Sequence, residues 1–300
     1  MAERVGFIGV GTMGSPMAAN LIARGFALTV HDVDRSRVAA LASQGALEAS
    51  SPRSVGAACR YVITSLPSSP DVEEVLAGPD GVIEGMAPGG TLIDVSTIDP
   101  GTTRRIAARA AERGIRMIDA PVSGAPPKAR DGTLTVMVGG DPEVVADCRF
   151  ILEALGENVV HVGPLGAGET VKLVNNLIAA INMVAVAEGF NIGVRAGLDP
   201  RIMYEVISKS SGDCWPLRTR VPYPGVVEGS PANDDFAPGF RLDLMHKDLG
   251  LALEAAKAVD APAPLGALAE QLYRAGRAQG YGRKDWSIVA KVIQSMSGGS

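Results

Sequence analysis

The sequence predicts an α/β protein, with an N-terminal doubly wound Rossmann-type domain joined by a long helix to an all-α C-terminal domain. Three observations favour this fold class. Short apolar strands alternate with helical segments through the first half of the chain, a glycine-rich turn follows the first strand, and the alternation stops after Gly163. Strands alternating with helices are typical of a parallel sheet with crossover helices.

The first strand is expected at Arg4–Gly9, followed by the glycine turn and a helix in which Met17, Leu21 and Ile22 have helical spacing. Pro16 fits the first turn of that helix, where its missing amide hydrogen costs nothing. Further strands are predicted at residues 27–32, 61–67, 91–97 and 116–121, and further helices at 35–44 and 102–113. Because these strands are apolar throughout, we expect helices on both faces of the sheet.

The second half contains only helical patterns. The segment Glu169–Arg195 contains no proline and is apolar on most sides, so we expect a helix about 40 Å long that is buried almost all round. Four more helices are predicted at residues 200–209, 244–259, 265–279 and 286–296. We therefore place a domain boundary near Pro164, with residues 1–164 in the first domain and 165–300 in the second.

Composition narrows the class of partners. The 300 residues include 28 basic and 33 acidic side chains, a net charge of −5, which gives no support for nucleic acid or an acidic membrane as a partner. Three scattered cysteines without a CxxC pair predict neither a disulfide framework nor a metal site. A strand beginning near Arg4 leaves no room for a leader peptide, and the apolar run Leu177–Ala187 is too short for a bilayer, so we expect a cytoplasmic protein.

A dinucleotide site is predicted from the turn after the first strand. Gly9, Gly11 and Gly14 form GxGxxG between a strand and a helix, where the backbone can approach a pyrophosphate. The spacing alone is a weak signal, and a glycine turn without a ligand is its ordinary explanation. Asp32, however, ends the second strand 23 positions after Gly9, where a carboxylate accepts hydrogen bonds from the adenosine ribose.

The same carboxylate favours NAD as the cofactor. Asp32 would repel the additional phosphate of NADP, and the next residue, Val33, offers that phosphate no partner. Arg35 and Arg37 lie close by in the sequence and leave NADP as the alternative.

Lys172 and Asn176 are candidates for catalysis. They stand four residues apart, hence on one face of the long helix. A lysine on a helix is usually a solvated charge, but a helix apolar on most sides leaves it little exposed surface. Beside a nicotinamide, Lys172 could exchange the hydroxyl proton of a substrate while Asn176 orients the same oxygen.

The stretch DAPVSGAPPKARDGTLTVMVGG has two explanations. It is either a turn leading into the strand TLTVMV or a site for a carboxylate at the carboxyl end of a sheet strand. In the second case the Ser123 hydroxyl and the amides of Gly124 and Ala125 would be the donors. Both explanations stay open on the residues alone.

Other polar and aromatic residues are assigned structural roles. Lys247 and Asp248 are expected to form a solvated ion pair, and Trp215 and Trp286 are expected in the core. The histidines have no ligand spacing and are treated as structural; they are His31, His161 and His246.

Four motifs, in order, resemble those of the β-hydroxyacid dehydrogenase family over nearly the whole chain. They are the cofactor signature GFIGVGTMGSPMAANL at Gly6–Leu21, the substrate signature DAPVSG at Asp119–Gly124, the catalytic signature GAGETVKLVNN at Gly166–Asn176, and the late lysine motif KDLGLAL at Lys247–Leu253. The stretches LIDVSTIDP, CWPLRTRVPYPGV and GYGRKDWS are similar to the 3-hydroxyisobutyrate branch of that family.

The resemblance implies roles for individual residues. Lys172 would be the catalytic residue, Asn176, Ser123 and Gly124 would hold the substrate, and the assembly would be a homodimer or homotetramer built through the helical domain. The implied cofactor contacts besides the three glycines and Asp32 are Met13, Leu66, Pro67, Thr97 and Lys247.

The resemblance also implies a reaction, the reversible oxidation of 3-hydroxyisobutyrate to methylmalonate semialdehyde in valine breakdown, with NAD. Two departures keep alternatives open: Ala125 replaces the usual second glycine after Ser123, and Arg241 leans towards the semialdehyde reductases. Other small substrates therefore remain candidates: tartronate semialdehyde, glyoxylate, succinic semialdehyde and serine. A non-catalytic dinucleotide-binding module is the alternative from a different class.

Overall fold

The computed structural model describes residues 4–298. The chain divides into two compact units, one ending at Lys172 and the other beginning at Leu173. The first unit has apolar cores on both faces of its sheet, and the second unit has its own core around Phe190 and Tyr273.

The strands of the described chain all belong to the first unit. They are β1 (Arg4–Ile8), β2 (Ala27–His31), β3 (Leu47–Glu48), β4 (Tyr61–Thr64), β5 (Thr91–Asp94), β6 (Arg116–Asp119), β7 (Val122–Ser123), β8 (Thr135–Gly139) and β9 (Asn158–Gly163). The five strands predicted between residues 4 and 121 are present, and each ends one to three residues earlier than the sequence pattern suggested; the strand TLTVMV is present as β8.

These strands form one sheet in the order β3-β2-β1-β4-β5-β6-β8-β7, with β9 also paired to β8. From β3 to β6 all neighbours are parallel, and this order is typical of dinucleotide-binding domains. The prediction of a wholly parallel sheet is wrong at one edge, because β8 runs antiparallel to both β6 and β7. A parallel neighbour needs a full crossover, and the chain between β6 and β8 is used for β7 and one short helix.

Helices cover both faces of the sheet in the first unit. They are α1 (Gly14–Ala23), α2 (Arg35–Ala42), α3 (Pro52–Ala58), α4 (Ser69–Ala77), α5 (Val82–Gly85), α6 (Pro100–Ala111), α7 (Ala125–Asp131) and α8 (Pro142–Leu155). Buried Met17 and Leu21 of α1 belong to the core on one face, and Ile106 of α6 belongs to the core on the other. The predicted doubly wound fold is confirmed.

The second unit is helical throughout its described residues. The long helix α9 (Ala167–Arg195) enters it from the first unit, and it is followed by α10 (Pro200–Ile207), α11 (Trp215–Arg220), α12 (Leu242–Ala258), α13 (Pro264–Ala278) and α14 (Val289–Met296). Short 3-10 helices stand at Pro231–Asp234, Tyr281–Arg283 and Trp286–Ile288. The expected all-α second half is confirmed, with its last predicted helix divided into a 3-10 turn and α14.

The expectation that α9 is buried almost all round is wrong. Val174, Ile178 and Ile192 are 49%, 54% and 69% exposed, so apolar side chains occupy an open face of the helix. At 29 residues, with a mean hydropathy of 1.7 over its most apolar 18-residue window, α9 is also long and apolar enough to cross a membrane, although the shorter run considered above was not. Length and composition are weak evidence for a span, because the central helix of a helical domain passes the same test.

Candidate active site

The glycine turn brings the end of β1 very close to the start of α1. A Cβ added at Gly14 would lie 1.9 Å from the carbonyl oxygen of Gly9, and one added at Gly9 would lie 2.3 Å from the oxygen of Ser65. Gly9 also has φ +88°, which favours glycine. By contrast, a Cβ at Gly11 would meet only a guanidinium nitrogen of Arg37, at 3.3 Å. The turn is therefore closed on the protein side and can accept a pyrophosphate along its backbone.

The N-terminus of α1 suits an anion. No side chain caps it, and its first turn contains no acidic residue. The helices α2, α4, α6 and α8 are instead capped by Asp34, Ser68, Asp99 and Asp141. Amide hydrogens at a helix N-terminus that no side chain accepts are available to phosphate oxygens.

Asp32 lies directly after β2 and faces the glycine turn. Its Oδ2 accepts a hydrogen bond from Val10 N at 2.7 Å, and its Oδ1 accepts one from Asp34 N at 2.8 Å. The residue is only 8% exposed. Two backbone donors fix the carboxylate at the carboxyl edge of the sheet, where a ribose would lie. Arg37, one of the two arginines that left NADP as the alternative, forms an ion pair with Asp34, with Nε 3.1 Å from Oδ2.

The loops after β4 and β5 meet beside this turn. Leu66 N donates to Ser96 Oγ at 2.9 Å, and a Cβ at Gly9 would lie 2.9 Å from Leu66 Cδ2. Pro67 and Thr97 are the next residues of the two loops. The structure thus brings Leu66 to the glycine turn, and Pro67 and Thr97 follow in the same two loops; contact of these three residues with the cofactor stays a prediction.

Asp94, which sequence reasoning missed, organises these loops. It ends β5 with no exposed surface, and its Oδ1 accepts hydrogen bonds from Thr64 Oγ1 and from the Ser96 hydroxyl. Burial raises the pKa of Asp94 to about 6; hydrogen bonds from Ser96 and Thr64 oppose the rise, and the neighbouring Asp119 adds to it. A carboxyl inside the apolar run LIDVST was the available signal.

A short helix separates the turn after β7 from β8. Ser123 ends the two-residue strand β7, Gly124 has φ +145°, and the helix α7 begins at Ala125. The stretch therefore leads into β8 through a helix as well as a turn, and a carboxylate site at Ser123, Gly124 and Ala125 stays a prediction. Ala125 itself has φ +60°, a left-handed conformation that costs alanine about 1–2 kcal/mol. The backbone keeps the shape that a glycine would adopt although the side chain is a methyl group.

Lys172 and Asn176 occupy successive turns of α9. Lys172 is 9% exposed and Asn176 is 6% exposed, so the alternative of a solvated lysine is wrong. At four residues' separation the two side chains leave the same face of the helix. Buried polar groups of this kind are usually functional or fully hydrogen-bonded.

Asp248 fixes the orientation of Asn176 in the second unit. Asn176 Nδ2 donates to Asp248 Oδ2 at 2.6 Å, and Lys247 Nζ lies 3.1 Å from Asp248 Oδ1. The ion pair of Lys247 and Asp248 is present, but the expectation that it is solvated is wrong, because Asp248 is only 2% exposed. The structure therefore joins two predicted site residues, Asn176 and Lys247, through the carboxylate of Asp248, which had been expected only to pair with Lys247.

The prediction that both tryptophans lie in the core is confirmed for one of them. Trp286 is 2% exposed and lies in the core, whereas Trp215 is 56% exposed and is not a core residue. Their rings stack, and the Arg220 guanidinium lies 4.6 Å from the centroid of the Trp215 ring. The exposed indole is held by this aromatic and cationic contact, which the sequence pattern did not indicate.

Comparisons with known proteins agree with this geometry. Residues 4–163 match the family model described as the NAD binding domain of 6-phosphogluconate dehydrogenase. Residues 166–293 match the model described as NAD-binding of NADP-dependent 3-hydroxyisobutyrate dehydrogenase. Together the two matches cover almost the whole described chain.

Relatives match over nearly the whole length of this chain. An NAD-dependent L-serine dehydrogenase of Pseudomonas aeruginosa is 44% identical, covering 99% of each chain. The mitochondrial 3-hydroxyisobutyrate dehydrogenase of Mus musculus is 42% identical, covering 97% of this chain and 87% of the mouse protein. A structure of Mycobacterium tuberculosis 3-hydroxyisobutyrate dehydrogenase with L-serine superimposes with a TM-score of 0.92 at 36% identity, covering 98% and 100% of the two chains.

The fold and the site define an NAD-dependent oxidoreductase of the doubly wound class. More specifically, the chain belongs to the β-hydroxyacid dehydrogenase family, which includes 3-hydroxyisobutyrate dehydrogenase. The predicted family and the predicted cofactor, NAD, are confirmed. The uncapped start of α1, the open backbone at Gly11 and the fixed carboxylate of Asp32 fit that cofactor.

The pKa of Asp94 predicts a pH-dependent difference in stability. The folded-state value, about 6, is higher than the ordinary 3.8, so the folded state binds the proton more tightly. The contribution of Asp94 to the free energy of unfolding is therefore present near pH 4 and is lost as pH rises through about 6. Asp94→Asn removes the titration and keeps an acceptor for Thr64. The free energy of unfolding of Asp94→Asn should rise relative to wild type by up to about 3 kcal/mol between pH 4 and 7.

Urea unfolding at pH 4, 5, 6 and 7 measures this difference. Asp131→Asn is the control, because it removes a carboxyl group from an exposed residue. Parallel stability profiles for wild type and Asp94→Asn would contradict the assignment.

Proposed function

We propose that the protein oxidises 3-hydroxyisobutyrate to methylmalonate semialdehyde with NAD. The observation that carries the proposal is the buried pair of Lys172 and Asn176 on one face of α9, with the Asn176 amide oriented by Asp248. A buried amine one turn from a fixed amide is suited to binding a hydroxyl group and exchanging its proton. The family and its 3-hydroxyisobutyrate dehydrogenase members support the choice of reaction.

The substrate carboxylate would bind at the turn after β7. The Ser123 hydroxyl and the amides of Gly124 and Ala125 supply three hydrogen-bond donors. The positive φ angles at Gly124 and Ala125 turn successive peptide groups out of the extended conformation, so that their amides can converge on one anion. The methyl group of Ala125 narrows this turn and favours a small acid.

The hydroxyl group would lie between Lys172 and Asn176. Bound NAD supplies the acceptor for the hydride that leaves the hydroxymethyl carbon. Lys172 takes the hydroxyl proton as the carbonyl forms, and returns it in the reverse direction. Asn176 holds the same oxygen, and Asp248 prevents its amide from rotating by accepting a hydrogen bond at 2.6 Å.

L-Serine is the second candidate substrate. It has the same hydroxymethyl group and carboxylate as 3-hydroxyisobutyrate, with an ammonium group in place of the methyl group at C2. The relative at 44% identity is named an L-serine dehydrogenase, and the structure at TM-score 0.92 is that of a 3-hydroxyisobutyrate dehydrogenase with L-serine. The roles given to Lys172, Asn176 and Ser123 apply equally to either acid.

The remaining alternatives have less support. Arg241, which favoured semialdehyde reductases, has its guanidinium bonded to Asp243, with Nε 2.9 Å from Oδ1. A non-catalytic module would not need Lys172 and Asn176 buried together. A cytoplasmic location and the lack of nucleic-acid and membrane partners stay predictions from composition.

We also propose a homo-oligomer formed through the helical unit. Val174, Ile178 and Ile192 form an exposed apolar face on α9. The start of α13 packs against the same helix, because a Cβ at Gly266 would lie 2.6 Å from Leu177 Cδ1, and it adds exposed Leu265 and Leu268. Apolar patches of this kind on soluble domains usually bind another protein surface. A second copy of the chain offers the same face by symmetry.

Sedimentation velocity tests the assembly. We expect a mass at least twice 31.0 kDa, and we expect Ile178→Asp to weaken association by about tenfold or more, because it places a charge in an apolar contact. Val259→Asp, at a residue that is 73% exposed at the end of α12, is the matched control. A wild-type monomer would overturn the proposal.

Substitution of Lys172 tests the chemistry. Lys172→Ala should bind NAD with unchanged affinity and lose about 10²- to 10⁴-fold in kcat, the usual loss for a positioned acid or base. The exposed Lys291→Ala is the control and should keep wild-type kcat. Retention of more than about a tenth of kcat by Lys172→Ala would remove the lysine from the mechanism.

A substrate panel with both cofactors tests the reaction. We expect kcat/KM to be highest with 3-hydroxyisobutyrate, followed by L-serine, and lower with tartronate semialdehyde, glyoxylate and succinic semialdehyde. NAD should exceed NADP by at least about tenfold, because Asp32 opposes a second anion at the ribose. A higher kcat/KM with L-serine would identify L-serine as the preferred substrate and would leave the proposed mechanism unchanged. Equal rates with NADP would contradict the role given to Asp32 and would indicate that Arg37 binds the additional phosphate.

A further inference from the structure

A single buried carboxylate joins the central sheet to the helix that carries Lys172. Asp119 is the last residue of β6 and has no exposed surface. Its Oδ1 accepts a hydrogen bond from Gly166 N at 2.7 Å, and its Oδ2 accepts one from Glu169 N at 2.8 Å. The donors lie 47 and 50 residues away in the chain. All of these residues lie in the first unit.

The backbone around the Asp119 carboxylate is closely packed. A Cβ at Gly139 would lie 2.4 Å from Asp119 Oδ1, and a Cβ at Gly168 would lie 2.8 Å from Oδ2 and 2.3 Å from the oxygen of Met137. Only glycine allows both backbone segments to approach the carboxylate this closely. The start of α9 is therefore held at one position on the sheet.

Other helices of this unit are capped in a different way. The helices α2, α6 and α8 receive their cap from the aspartate directly before the helix: Asp34, Asp99 and Asp141. A local cap stabilises the helix wherever it lies. Because Asp119 belongs to β6, it stabilises the N-terminus of α9 only when that helix is correctly placed on the sheet.

A second carboxylate restrains the same turn. Glu169 is fully buried, and its Oε2 accepts a hydrogen bond from Ile98 N at 3.1 Å, just after β5. Asp119 contacts the N-terminal end of α9, and Ile98 contacts the Glu169 side chain from the side of the helix. Together the two contacts restrict both translation and rotation of the first turn. Lys172 follows Glu169 by three residues, nearly one turn, so its direction depends on that turn.

Asp119 also precedes the substrate turn, with Ser123 four residues later in the same segment. We infer that Asp119 is a positioning residue, which sets Lys172 in register with the turn that holds the substrate carboxylate. The inference rests on the proposed role of Lys172. A displacement of about 1 Å in a catalytic group can cost about 10²-fold in rate, so the anchor affects turnover without touching the substrate.

Asp119→Asn tests the inference with minimal change in shape. An amide group offers one acceptor where two N–H groups need one each, so one donor would face the NH2 group. We expect kcat to fall about 10- to 100-fold, NAD affinity to change less than about threefold, and the primary deuterium isotope effect with C3-deuterated L-serine to rise. Asp141→Asn, which weakens an exposed cap on α8, should lower Tm and leave kcat and the isotope effect unchanged.

A double-mutant cycle separates positioning from general destabilisation. If Asp119 acts through Lys172, Asp119→Asn should have little further effect on residual kcat in the Lys172→Ala background. Turnover is measured with both 3-hydroxyisobutyrate and L-serine at high enzyme concentration. Equal losses in both backgrounds, or a loss of NAD affinity parallel to that of kcat, would overturn the inference. High activity of Lys172→Ala alone would instead overturn the proposed function.

Glu169→Ala tests the same inference if the Asp119→Asn protein does not fold. It removes the contact with Ile98 and leaves Asp119 in place. We expect kcat to fall about three- to tenfold, again without an additive effect in the Lys172→Ala background. Unchanged kcat in a folded Glu169→Ala protein, or a fully additive loss, would overturn the role of the anchored turn.

Discussion

The hydrogen bonds from Gly166 and Glu169 to the Asp119 carboxylate are the constraint on which the active site depends. Removing a carboxylate from water is costly, and burial raises the pKa of Asp119, although backbone N–H groups favour its charged form. The positive end of the α9 dipole also favours a negative charge there. A buried charge with these partners is stable only in one arrangement of strand and helix, which makes it an effective positioning device.

Asp119 is one member of a row of polar groups at the carboxyl edge of the sheet. Asp32 follows β2, Asp94 ends β5 and Asp119 ends β6. Asp32 accepts a hydrogen bond from the loop after the neighbouring β1, Asp94 accepts one from the loop after its own strand, and Asp119 accepts one from the loop after β9, two strands away. In register, Asp94 and Asp119 are direct partners on adjacent strands. Carboxylates of the sheet thus hold the backbone of the segments beyond its carboxyl edge, which suits a site that must keep its geometry during hydride transfer.

The two candidate substrates present the same reacting groups to the proposed site. 3-Hydroxyisobutyrate and L-serine share the carboxylate and the hydroxymethyl group, the two parts to which Ser123, Lys172 and Asn176 are assigned. They differ only at C2, so discrimination depends on the groups around one small substituent. Ala125, whose φ of +60° is one that favours glycine, adds a methyl group to the turn proposed to bind the carboxylate.

The sequence by itself determined the order of elements, the glycine turn, the position of Asp32 and the helix of Lys172 and Asn176, because these depend on local periodicity and fixed spacing. It could not predict the contacts of Asp119 with Gly166 and Glu169 or of Asp248 with Asn176, since these partners lie 47 to 72 residues away. It also misjudged the solvation of Asp248, the burial of Trp215 and the exposed face of α9. Burial and hydrogen-bond partners depend on which segments pack together, and only the tertiary structure decides that.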